Sequence, residues 1–291
     1  MEEPARNVGL RRGVLAVSVL DDISLVPTAD GIRLEAGSGT SDTPPATVDV
    51  AWTELADAVD GVDPESDAGR WRLRDWLRFR ALFAELGSAA AWRAEQAAVP
   101  MGLPVDHALH PGPGWAREHV LGGVLDLGIG VRGLIGGDPD HVAVLPDALA
   151  RAIGLSTDGW WPALRARLED MGELTVSRLN RDGIGLISPM GGCDAVTLIG
   201  ARSLRRHLAT ADGTGLRAVA VPKRSRGWFD LARIDPAFVV AAAAATNDVE
   251  RGFSRPLLVT CDEVGLATPG GDLTTIVLRD PATAEAAWPA Y

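Results

Sequence analysis

The sequence GLISPMGGCD, from Gly185 to Asp194, and the sequence LRAVAVPKRSR, from Leu216 to Arg226, decide the predicted fold. Each begins with the apolar residues of a short strand and ends in a polar loop. Asp194 is a suitable cap for a helix that runs to about Thr210 between the two strands. This order predicts a β-α-β unit, in which the strands are parallel and both loops lie at the same edge of the sheet.

These two loops form the candidate ligand site. A loop that leads into a helix exposes unpaired N–H groups and the positive end of the helix dipole, which suits a phosphate or a carboxylate. The candidate ligand-binding residues are Ser188, Gly191, Gly192, Cys193, Lys223, Arg224 and Arg226. The glycines would let a ligand approach the backbone, and the basic residues would supply charge. An ordinary turn, with Asp194 as the cap and arginines on the surface, explains the same pattern.

Cys193 is a weak candidate for a catalytic nucleophile. A thiol near a helix N-terminus and near cations can have a lowered pKa and react as a thiolate. A catalytic thiol also needs a base, and the histidines that could supply one are His107, His110, His119 and His141. The alternative is a small buried thiol, which is the common environment of a lone cysteine.

Other sites have less support in the sequence. His107, His110 and His119 follow Asp106 and are weak metal candidates, because no His-Glu-x-x-His or Cys-x-x-Cys spacing accompanies them. The stretch from Gly128 to Gly133 matches Gly-x-Gly-x-x-Gly, but no long helix can follow it, so dinucleotide binding is not predicted. Lys223 is the only lysine, which excludes a Gly-x-x-x-x-Gly-Lys phosphate loop. The sequence identifies no cofactor.

The charge of the chain is unevenly distributed. Its formal net charge is −11, which makes general nucleic-acid binding unlikely. The acidic segment from Asp21 to Gly69 holds 12 acidic residues and one basic residue. Its net charge of −11 therefore equals the net charge of the whole chain. The helix predicted from about Arg70 to Ala98, with a break near Gly87–Ser88, follows it, and Arg70, Arg74 and Arg78 recur on one of its faces. Either these arginines neutralise the acidic segment, or one of the two regions binds a protein partner.

The predicted architecture is mixed α/β. We expect a β-containing N-terminal domain with the long Trp- and Arg-rich helix (residues 1–99), a Pro/Gly-rich connector (100–114) and an α/β domain (115–291) with a mixed sheet and flanking helices. Further expected elements are a strand over Val14–Leu20, a loop over Gly37–Pro45, a hairpin over Leu174–Ser188, a buried apolar helix from Asp235, and a helix after Asp280.

Two functions remain open. One is a non-catalytic protein that binds a partner or senses a small ligand. The other is an enzyme that acts on a phosphorylated or carboxylated small molecule at the 188–193 and 223–226 loops. No segment has the roughly 20 apolar residues that span a bilayer, and the N-terminus lacks the features of a signal peptide, so we expect a cytoplasmic protein with no membrane contact.

Overall fold

The computed structural model describes residues 3–36, 46–211, 213–229, 235–262, 264–269 and 276–279. The mixed α/β class is confirmed, with helices and three antiparallel sheets. Within these residues no helix is long and apolar enough to cross a membrane. The predicted loop over Gly37–Pro45 and the helix predicted after Asp280 lie outside the described residues.

The helices and strands follow one another irregularly along the chain. The helices are α1 (Glu3–Leu20), α2 (Trp52–Val59), α3 (Asp67–Leu86), α4 (Ala90–Ala97), α5 (Asp147–Ala152), α6 (Trp161–Asp182), α7 (Ala195–Ile199), α8 (Arg202–Thr210) and α9 (Pro236–Ala245). The strands are β1 (Leu25–Pro27), β2 (Gly31–Ala36), β3 (Ala46–Ala51), β4 (Ala98–Pro104), β5 (Arg117–Val120), β6 (Leu125–Arg132), β7 (Val142–Val144), β8 (Leu186–Ile187), β9 (Arg217–Lys223), β10 (Arg226–Trp228), β11 (Leu257–Val259), β12 (Val264–Pro269) and β13 (Ile276–Arg279).

The chain divides into two compact units. The first comprises residues 1–98, 111–116 and 129–159, and the second comprises 99–110, 117–128 and 160–291. In the first unit, α3 packs against α1 and against the sheet β1-β2-β3. Ser66 caps α3 by accepting a hydrogen bond from the Gly69 N–H, and the helix ends at Gly87, close to the predicted break.

The second unit is built on a six-stranded sheet in the order β13-β12-β11-β9-β10-β8. One face of β9 and β11 contributes Val219, Val221, Leu257 and Val259 to a core shared with α6, α7 and α8. The other face contributes Ala218, Ala220 and Leu258, which pack against Val239 of α9. This alternation follows from the two-residue period of a strand and explains why both faces of these strands are apolar.

The predicted β-α-β unit is only partly correct. β10 is antiparallel to both β8 and β9, so β8 and β9 run in the same direction but are not neighbours. The tight turn at Arg224–Ser225 folds β10 back between them. The single helix expected up to Thr210 is instead divided into α7 and α8 at Gly200 and Ala201. The strand pairs of this sheet are antiparallel, where the sequence predicts a mixed sheet.

Two other predictions are wrong because a helical period was interpreted as a strand. The first strand of the hairpin expected over Leu174–Ser188 is the end of α6, whose buried residues Leu164, Leu168, Thr175 and Leu179 have a helical spacing, while the second strand is present in part as β8. Gly183, at φ 63°, ends this helix rather than forming a hairpin turn. The strand expected over Val14–Leu20 belongs to α1, in which Leu10, Val14 and Val17 are buried.

The first residues of the predicted connector 100–114 form a strand, and the apolar helix is less buried than expected. Residues 100–104 all belong to the buried strand β4, where Gly102 lets the backbone approach Thr197, whose hydroxyl accepts a hydrogen bond from the Gly102 N–H. The helix from Asp235 forms as predicted, with Asp235 as its cap. It is not buried all round, since Phe238 and Val240 are about half exposed and only Val239 and Ala243 are buried.

Candidate functional site

The loop from Ser188 to Asp194 is a tight turn. Met190 and Cys193 exchange two backbone hydrogen bonds of 2.9 Å, with Gly191 at φ 58° and Gly192 at φ 92° between them. Two successive residues with positive φ require glycine or a residue that tolerates this conformation. A Cβ on Gly191 would also collide with the Met171 side chain. The turn and its packing against α6 therefore account for both glycines without a ligand.

Asp194 and Arg224 bring the two predicted loops together. The Ala195 N–H donates to the Arg224 carbonyl at 2.7 Å, and Arg224 Nε donates to Asp194 Oδ2 at 2.5 Å. The other carboxylate oxygen of Asp194 accepts a hydrogen bond of 2.7 Å from the Thr197 N–H. The acid therefore occupies both the helix N-terminus and the nearby guanidinium, the two features expected to hold an anion.

Cys193 is fully buried in this turn. Burial, reinforced by the Asp194 carboxylate, raises the pKa of the Cys193 thiol to about 12. The thiol is protonated at neutral pH, so position 193 offers no thiolate nucleophile.

The remaining residues of the predicted site have different environments. Arg178 of α6 donates to the Ser188 carbonyl at 2.5 Å, so a neighbouring helix holds this part of the loop. Lys223 and Arg226 are exposed, one at the end of β9 and the other at the start of β10.

A second polar group surrounds Asp126 in β6; of its members, the sequence identifies only His110 and His119, as metal or base candidates. The Asp126 side chain is 1% exposed, and Arg117 Nε donates to its Oδ2 at 2.7 Å. His119 Nδ1 lies 2.5 Å from Oδ1, and His110 Nε2 lies 3.0 Å from Oδ2. We call these four residues the Asp126 cluster. All of them belong to the second unit.

The β5–β6 hairpin creates this cluster. Arg117 and His119 are two positions apart in β5 and therefore project from the same face, and His119 is directly opposite Asp126 in the register of the hairpin. The connecting residues Leu121–Gly123 all have positive φ, which allows the short reversal. His110 comes from the segment that follows β4.

The three basic side chains differ in exposure. His119 is 65% exposed, whereas His110 is 13% and Arg117 is 17% exposed. Because Nδ1 of His119 faces a carboxylate, that nitrogen carries the proton and donates it. Nε2 is then the nitrogen of His119 that remains to meet a molecule from solution.

His107 neighbours this cluster but has a structural role. Its Nδ1 accepts a hydrogen bond of 3.1 Å from the Leu109 N–H, so Nε2 carries the proton and donates to the Arg251 carbonyl at 3.1 Å. Burial, with a smaller contribution from Arg224, lowers the pKa of His107 from 6.5 to about 4. This neutral ring joins the segment after β4 to the segment before β11.

The weak metal candidates do not form a metal site in the part of the chain that the structure describes. No group of three or more His, Cys, Asp or Glu residues there could hold a metal ion. His119 Nδ1 and His110 Nε2 instead lie within 3.0 Å of the carboxylate of Asp126, and His107 faces a backbone carbonyl. Residues 128–132 of the Gly-x-Gly-x-x-Gly stretch lie in β6, with no helix directly after it.

The arginines of α3, which the sequence offers as a partner-binding surface, have partners within the first unit. We call Arg70, Arg72, Arg74, Arg78 and Arg80 the arginine row; their respective carboxylates are Asp67, Asp60, Asp75, Asp21 and Glu54. Four of these five acids come from the acidic segment 21–69. Arg74 also lies 3.7 Å from the centre of the Trp71 ring. This supports the alternative in which the arginines neutralise the acidic segment.

Comparisons with known proteins identify no relative: no protein-family model, no curated protein and no solved structure matches the chain. The Asp126 cluster must therefore be interpreted from its own chemistry. It offers a buried carboxylate, a half-buried guanidinium and an exposed imidazole with a fixed orientation.

Proposed function

We propose that this protein binds a small anionic molecule, with a phosphate or carboxylate group, at the Asp126 cluster. The observation that supports this is the ratio of charges: three basic side chains converge on one carboxylate that is 1% exposed. Arg117 alone neutralises Asp126, since a guanidinium is always charged. Protonation of either imidazole then gives the cluster a net positive charge.

The exposure of His119 makes this charge accessible. An anion that meets His119 Nε2 would accept a charge-assisted hydrogen bond and would favour the protonated ring. The pair formed by Asp194 and Arg224 has no surplus of basic side chains, because one acid faces one base. For this reason the proposed ligand class is the one expected from the sequence, but its site moves from the 188–193 and 223–226 loops to the Asp126 cluster.

Isothermal titration with inorganic phosphate tests this proposal at about pH 6 and about pH 8, on either side of the ordinary histidine pKa. We expect saturable binding that is stronger at the lower pH. His119→Asn should weaken it about tenfold, which corresponds to the loss of one charge-assisted hydrogen bond. Because His119 is largely exposed, this variant should fold normally.

The matched control is the double variant Lys223→Ala/Arg226→Ala, which removes two exposed basic residues from the loops predicted by the sequence. We expect it to bind phosphate as the unmodified protein does. Loss of binding in this control, with full binding in His119→Asn, would place the anion at the loops and contradict the proposal. Absence of saturable binding at both pH values would also contradict it.

A further inference from the structure

The Asp126 cluster has the parts of an acid–base catalytic site as well as those of an anion site. A general base needs a nitrogen lone pair that reaches the substrate and a partner that fixes the ring. His119 meets both requirements: Nδ1 lies 2.5 Å from the buried Asp126 carboxylate, and the side chain is 65% exposed. The buried carboxylate sets the tautomer and stabilises the ring when Nε2 takes up a proton.

The other members of the cluster hold the acid that positions this base. Arg117 Nε donates to Oδ2 of Asp126 at 2.7 Å, and His110 Nε2 lies 3.0 Å from the same oxygen, while His119 approaches Oδ1. Asp126 is therefore fixed through the oxygen that His119 does not use. A buried and fixed partner keeps the imidazole in the orientation and tautomer that a general base needs.

We propose that His119 is the general base, and Asp126 its positioning residue, in the hydrolysis of a carboxylic ester. This inference rests on the proposed function, since the carboxylate product belongs to the anion class that the cluster binds. His119 Nε2 takes a proton from water while the water oxygen forms a bond to the acyl carbon. The carbonyl oxygen becomes the oxyanion of a tetrahedral intermediate.

The reaction then completes without any other reagent. The tetrahedral intermediate collapses, the bond between the acyl carbon and the alcohol oxygen breaks, and His119 returns its proton to the leaving oxygen. Water and ester give acid and alcohol, with no oxidation or reduction. The base is restored in its starting tautomer, with the proton on Nδ1 shared with Asp126.

The test is the hydrolysis of p-nitrophenyl acetate, followed across the pH range in which histidine titrates. We expect kcat/KM to rise with pH, because a general base acts in its unprotonated form. His119→Gln should lower it by about 100-fold, the lower end of the range for loss of a general base. His207→Gln is the matched control, because this histidine lies on α8 and makes no contact with Asp126 in the described interactions; its rate should be unchanged.

Asp126→Asn separates positioning from simple structural support. An amide can hold the ring but cannot stabilise the protonated imidazole, so the variant should shift the pH profile as well as lower the rate. Equal rates in the unmodified protein and in His119→Gln would overturn the inference. If phosphate binding nevertheless depends on His119, the proposed function survives and only catalysis fails; if binding is also absent, both fail.

Discussion

The arginine row of α3 and the Asp126 cluster both gather basic side chains, but they differ in the number of carboxylates that accompany them. In the row, each of five arginines has its own acid within 4.0 Å. In the cluster, one acid serves an arginine and two histidines. Each arginine of the row therefore faces an acid of its own in the first unit, whereas the three bases of the cluster share one buried acid.

Burial separates the two regions further. Asp67 in the row is 82% exposed, and its pair with Arg70 is screened by water. Asp126 is 1% exposed, so it is shielded from water, and removing a partner from a buried charge costs about 3–5 kcal/mol of folding free energy. The comparison shows that the ratio of acids to bases and their burial, rather than the density of charge along the sequence, distinguish a candidate site from a neutralised surface.

The largest expected effect is a difference in stability between two Asp→Asn variants, one in each region. Asp126→Asn removes the buried carboxylate to which Arg117 Nε donates at 2.7 Å, and we expect it to reduce the free energy of unfolding by about 3 kcal/mol. Asp67→Asn breaks an exposed pair and should cost less than about 1 kcal/mol. Urea denaturation of both variants measures the difference. Similar losses in the two variants would show that the regions are not distinct in this way.

A smaller effect is expected from His107, beside the cluster. Its pKa is about 4 in the folded protein, below the ordinary value of 6.5, so the unfolded chain binds more protons between these values. The stability that the neutral ring contributes is present above about pH 6.5 and decreases as the pH falls toward 4. Acidification from pH 7 to pH 5 should therefore remove about 2 kcal/mol through this residue.

His107→Gln provides the control for that titration, because glutamine cannot gain a proton. The variant should lose less stability than the unmodified protein over the same pH interval, whatever its stability at neutral pH. Identical slopes for the two proteins would contradict the assignment of this acid sensitivity to His107. An arginine-row variant such as Arg70→Ala should leave the slope unchanged, since Arg70 lies in the other unit.

The sequence predicted those parts of the molecule that depend on neighbouring residues. The break of the long helix near Gly87 and the cap at Asp235 follow from local signals, and both are confirmed. The end of α6 was predicted wrongly because Asn180–Gly183 is typical of a hairpin turn, whereas the buried residues before it have a helical period. The sequence before a glycine does not by itself distinguish a helix end from a turn.

The candidate site was less accessible to prediction because its residues meet through non-local pairing. The adjacency of the 188–194 and 223–226 loops was expected from strand direction, and the hydrogen bond between Ala195 and Arg224 agrees with it. The pairing of His119 with Asp126 depends on the register of the β5–β6 hairpin. Gly122 and Gly123 indicate a turn between two strands. A hairpin centred on this turn places His119 opposite Asp126.

The most direct measurement is a nuclear magnetic resonance titration of the histidine ring nitrogens and arginine side chains with inorganic phosphate. The proposed site predicts that free His119 carries its proton on Nδ1, and that phosphate causes saturable shifts at His119, His110 and Arg117 while the arginine row is unaffected. A proton on Nε2 of His119, or shifts at Arg70 and Arg78 in place of the cluster, would contradict the assignment of the anion site to Asp126 and its three basic neighbours.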